Sequence, residues 1–67
     1  MTTYTIAIRH DDDTMRPATN SRFRGLDVDT AERHMEGMWA TTHPDEGWAG
    51  LAVISDDDGS IYSEMEW

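Results

Sequence analysis

The chain has no cysteine and no lysine. Without thiols, no disulfide can staple it and no thiolate can hold zinc. The same absence fits a reducing cytoplasm, which is the compartment expected for it. Long apolar runs are missing too, and nothing approaches the roughly 20 residues that span a bilayer. The opening MTTYTIAIRH is too short and too polar for a signal peptide. The expectation is a soluble protein without membrane contacts. Its 67 residues form one small domain, 1–67. A chain of that size buries only about 60% of the surface its unfolded form exposes. Its stability rests on one core of Tyr, Ile, Leu, Met and Trp, or is shared with another chain.

What the chain does have is acid. Fourteen carboxylates, nine of them aspartate, face five arginines, for a formal net charge of −9. A field of that sign repels nucleic acid and anionic lipid and attracts basic protein surfaces. Direct binding of DNA or RNA is therefore not expected. Two plainer explanations fit the same numbers: a surface adapted to high salt, and a coding bias toward Asp and Arg.

The segment TYTIAIRH alternates, with Tyr4, Ile6 and Ile8 on one side and Thr5, Ala7 and Arg9 on the other. This predicts a half-buried strand over residues 2–9. Residues 10–26 show no periodicity and read as an irregular loop, with a short edge strand at SRFR the one exception considered. In LDVDTAERHMEGMWATTHP the stripe Val28, Ala31, Met35, Met38, Trp39 and Thr42 predicts a helix over 28–42. Asp27 or Asp29 is its expected cap. WAGLAVIS and SIYSEMEW predict strands at 48–55 and 60–67, joined through DDDG as a hairpin.

The length of that hairpin loop decides which side chains share a face. A three-residue loop (Asp57, Asp58, Gly59) puts Leu51, Val53, Ile61, Met65 and Trp67 in the core and Trp48, Ile54, Tyr62, Glu64 and Glu66 outside. A four-residue loop turns Trp48 and Ile54 inward and Leu51 and Val53 outward. The first is preferred because it buries branched aliphatics. The fold expected is α+β, a single small β-α-β-β domain. Its three antiparallel strands take the order 2-3-1, with the last strand between the other two. One helix lies on one face and nothing in the chain covers the other.

No motif for catalysis or metal binding stands out. Setting Gly59 at the turn glycine of a calcium loop puts Ile54 and Met65 at ligand positions, which rejects an EF-hand. His10, His34 and His43 form no HExxH pair, and no serine sits in a glycine-framed elbow. No enzyme activity, catalytic residue, metal site or cofactor is therefore expected.

The acid of the last strand is the most specific feature. Outward positions on a strand lie about 6.8 Å apart, and DNA phosphates along one strand about 3.4 Å apart. A row formed by Asp56, Asp57, Asp58, Glu64 and Glu66 could therefore imitate phosphates, with Tyr62 and Trp48 as apolar anchors. The function expected is a small acidic protein-interaction module, an inhibitor or nucleic-acid mimic. It would dock on the basic surface of a partner, itself a nucleic-acid-binding protein. The alternatives are a salt-adapted housekeeping protein and a weak metal-binding or small oligomeric catalytic domain. The open sheet face also leaves room for a homodimer.

Overall fold

The structure, a computed structural model, describes residues 2–67. Its elements are β1 (Tyr4–His10), β2 (Met15–Pro17), a 3-10 turn (Ser21–Phe23), α1 (Val28–Thr41), β3 (Trp48–Ser55) and β4 (Ile61–Glu66). They form a small α+β arrangement, one helix against an antiparallel sheet of four strands rather than three.

The strand missed in the sequence is β2, and it changes the topology. Three residues are too few to show a period, and Pro17 argues against a strand. Pro17 is tolerated because β2 lies at the sheet edge, where one ladder bond fewer is cheap. The Asp11–Thr14 turn that leads into β2 is built by its acids. Asp12 accepts from the Thr14 amide and hydroxyl, and Asp13 takes the left-handed conformation at φ 67°. The segment SRFR holds the 3-10 turn instead of an edge strand, and its Ncap Asn20 accepts from the Arg22 amide.

Because β2 reverses the chain before the helix, α1 delivers β3 antiparallel to β1. The two pair directly, from Tyr4 opposite Ser55 to Ile8 opposite Leu51. The sheet order is β2-β1-β3-β4, so the final strand lies at an edge and β3 holds the inner position. The expected 2-3-1 order assumed a crossover straight from β1, which would have required β4 in between.

Asp27 caps α1, its carboxylate accepting from the Thr30 amide. Ala31 and Met35 are buried and Met38 packs beside them. The core joins them to Ile6, Leu51 and Val53, with Tyr4, Ile8, Phe23, Leu26, Met65 and Trp67 around it.

Both readings of the hairpin are partly realised. At the tip the Ser55 amide donates to the Ser60 carbonyl, which closes a loop of four residues, Asp56–Gly59. Below it, Ile54 pairs with Ile61 but Val53 pairs with Ser63, so Tyr62 is an extra residue in a bulge. The bulge restores the register in which Leu51 and Val53 face the helix, buried to 1% and 0% exposure. Two expected placements are overturned, those of Ile61 and Trp48, while Tyr62 is exposed as expected. Ile61 is half exposed rather than in the core, and Tyr62 meets the ring of Tyr4 edge-on at 5.4 Å. Trp48, expected outside, stacks on Trp67 at 6.0 Å, because a second register shift falls at the His10 end of β3. Trp67 in turn donates to the Trp39 carbonyl, and Trp39 donates to the Glu66 carbonyl. The three tryptophans thus tie the end of α1 to the ends of β3 and β4.

Ser63 carries a buried hydroxyl with no hydrogen-bond partner. Leaving such a group unpaired costs about 1–3 kcal/mol. Ser63→Ala is therefore expected to raise unfolding stability by about 1 kcal/mol, seen as a higher denaturant midpoint at unchanged slope. A lower midpoint would mean that the hydroxyl is satisfied.

Candidate functional site

The carboxylates expected to form one row are divided by the fold. Asp56, Asp57 and Asp58 sit at the hairpin tip, beside the start of β1. Asp56 accepts from the hydroxyls of Thr3 and Thr5, both at 2.6 Å, and its amide donates to the Thr3 carbonyl. Asp57 accepts from the Thr2 hydroxyl, and Asp58 from the Ser60 amide. These acids pin the tip to β1 and shape the turn. Tyr62 lies near them, 55% exposed.

The hydrogen bonds from Thr3 and then Thr5 hold the Asp56 carboxyl below the ordinary aspartate value of 3.8, with a smaller contribution from the charge of Arg24. A depressed folded-state pKa gives stability that is present above the unfolded value and lost as pH falls through the folded one. Asp56→Asn is therefore expected to lower stability near neutrality and to converge on the wild type only well below pH 3.8, beneath the lowered folded-state value. Denaturant melts at both pH values measure this. A constant gap between the two proteins would show that Asp56 contributes no proton linkage.

Glu64 and Glu66 lie at the other end of β4, roughly 10–17 Å along the strand from the tip. They occupy the sheet face opposite the helix, across β3 from Arg9. Arg9 pairs with Gly50, and Gly50 pairs with Glu66, so the three residues form a row over three strands. Gly50 has no side chain to stand in the way, and a Cβ there would lie only 2.4 Å from the Met65 carbonyl oxygen. The guanidinium can thus cross β3. It donates to Glu66 at 2.8 Å and lies 3.8 Å from both Glu64 and Asp13. Ala7 and Ala52, in register with Glu64 on the same face, are fully buried.

One cation thus serves three carboxylates. Their side chains remain 92%, 45% and 69% exposed for Asp13, Glu64 and Glu66. The loops at this end add acids that the sequence reading did not connect with β4. The Asp11 amide donates to the Gly47 carbonyl and the Trp48 amide to the Asp45 carbonyl. These bonds set Asp11–Asp13 beside the Asp45–Glu46 turn. Seven carboxylates (Asp11, Asp12, Asp13, Asp45, Glu46, Glu64, Glu66) therefore gather around the end where Trp48 lies. Arg9 is the cation the ion pairs place among them. The signal was two acid runs more than thirty positions apart, joined by the pairing of His10 with Trp48 and the Asp11–Gly47 hydrogen bond.

The remaining arginines lie elsewhere, with Arg16 on β2, Arg22 and Arg24 in or beside the 3-10 turn, and Arg33 on α1. Among the described residues, no three His, Asp or Glu side chains converge as metal ligands. Among the same residues, no helix is long and apolar enough to cross a membrane. The helix carries a shallow groove lined by Arg33, His34, Gly37, Met38 and Thr41. No protein-family model, curated protein or solved structure matches the chain.

Proposed function

We propose that the protein is a small, non-enzymatic interaction module that docks its acidic β4 side on a cationic surface of a partner protein. One observation carries the reading: the Arg9 guanidinium stands among three exposed carboxylates on the sheet face opposite the helix. That patch keeps two net negative charges after pairing, and the neighbouring Asp11, Asp12, Asp45 and Glu46 reinforce its field. A surface of this kind steers a basic partner and makes association fast and salt-sensitive.

In its sharpest form the module is an inhibitor or nucleic-acid mimic that occupies the Arg/Lys-lined groove of a nucleic-acid-binding protein. Glu64 and Glu66 then carry the contact. Asp56, Asp57 and Asp58 add long-range field, and Tyr62 and Trp48 contribute apolar area at the two ends. The working compartment of this reading is the cytoplasm.

A second reading has its own support. Asp12, Asp27 and Asp58 each cap a turn or a helix end, and Asp56 accepts from the Thr3 and Thr5 hydroxyls. On that evidence the acid serves turn chemistry and solvation, as in a salt-adapted protein. Charge reversal separates the two. A partner retrieved from the native host, purified and rebound, should lose Glu64→Lys/Glu66→Lys far more strongly than Asp57→Lys. Equal affinities for wild type and the β4 variant would remove the first reading.

A further inference from the structure

The β4 edge has a feature that acidity alone does not explain. In an antiparallel ladder, alternate residues of an edge strand turn their N–H and C=O groups away from the sheet. The Trp67 amide donates to the Ala49 carbonyl, so Trp67, Met65 and Ser63 face β3. The backbone groups of Glu64 and the Glu66 amide therefore point outward, and among the described residues no loop, cap or side-chain group bonds to them. The Glu66 carbonyl is the exception, since it accepts from Trp39 and marks the end of the usable stretch. The six residues Ile61–Glu66 span roughly 17–20 Å, enough for a short extended peptide.

We propose that this edge takes up an extended basic segment of the partner as a fifth strand, one in which cationic and apolar residues alternate. The inference rests on the acidic-module reading and specifies how that module binds. Backbone bonding to Glu64 sets the register, and side-chain pockets on the two faces set the sequence. On the face away from the helix, cations two residues apart meet Glu64 and Glu66, which have the same spacing. On the helix side, the residues between them lie beside Ser63 and Met65 and reach the exposed ring of Trp39. A lysine or arginine at every second position, with valine- or isoleucine-like residues between, matches both faces.

A second copy of the chain fits this edge poorly. Antiparallel pairing of β4 with itself gathers four glutamates around two Arg9 guanidiniums, in a dimer of two chains each at −9. The opposite edge, β2, offers only three residues, and the last of them, Pro17, has no N–H to give. The charge that discourages copies from pairing is complementary to a basic strand.

The test uses the whole protein, labelled for NMR, and three synthetic peptides of equal charge. One is the heptapeptide Lys-Val-Lys-Val-Lys-Val-Lys. The second has the same composition with lysines and valines in two blocks, and the third is the alternating peptide methylated on every backbone nitrogen. The alternating peptide is expected to bind about tenfold tighter than either control, and to slow exchange of the Glu64 and Glu66 amides. Equal, salt-sensitive binding of all three would overturn strand addition while leaving the acidic module standing. No binding of any peptide would remove both. Concentration-dependent protection of the Glu64 amide without peptide would identify the occupant as a second copy and overturn the proposal.

Discussion

Replacing Arg9 by glutamate is expected to destabilise the fold by about 3 kcal/mol, a large share of what so small a domain commands. Arg9 lies on β1, and its guanidinium is the counter-charge for Asp13, Glu64 and Glu66. Each of these pairs is partly exposed, and alone each would be worth no more than about 1 kcal/mol. The loss is larger because one substitution removes all three pairs and adds a fourth carboxylate to the same patch. It also withdraws a side chain that is itself only 20% exposed.

At roughly 4–8 °C per kcal/mol for a domain of this size, the melting temperature should fall by about 15 °C. Added salt should recover part of the fall, since the new repulsion is screened within about 10 Å at 0.1 M. The exchange Arg9→Glu/Glu66→Arg restores the opposite charges and should recover about half of the loss. Thermal melts of the three proteins measure this. A single variant that melts within a degree or two of the wild type would show that Arg9 does not organise the open face.

Reversing Glu64 and Glu66 together should weaken binding of the purified partner by about 100-fold, mainly through slower association and a flatter salt response. The neutral pair Glu64→Gln/Glu66→Gln should lose about tenfold by the same argument. Lysines placed beside Arg9 also strain the face itself, so each variant's melting temperature accompanies its affinity. The neutral pair keeps the result interpretable if the reversed one unfolds. Asp57→Lys, at the far end of the hairpin, should cost about threefold or less, since it removes only long-range field. Equal losses at the tip and at the β4 end would show that net charge, and not this surface, governs binding.

Where the sequence carries long periodic signals, it leads to the structure. The alternation around Ile6 and Ile8 and the helical stripe through Ala31 and Met35 both correspond to elements whose apolar sides form the core. Short or compensating features stayed hidden. Three residues of β2 show no period, yet they reverse the chain and so decide that β3, not β4, lies beside β1. The bulge at Tyr62 offsets the fourth loop residue, and two opposite shifts of one residue leave no trace in an alternation pattern. The acidic row was legible as composition but not as geometry. That Arg9 reaches Glu66 depends on Gly50 standing between them, which only the strand register reveals.

The account stands on the outward side of β4 being open to a cationic neighbour. The most direct measurement is the affinity of the purified partner for the wild-type protein across a salt series, with backbone amide signals followed in parallel. The account predicts affinity that falls steeply as salt rises, with the largest amide changes at Glu64 and Glu66. Affinity indifferent to salt, or amide changes confined to the helix or the hairpin tip, would contradict it.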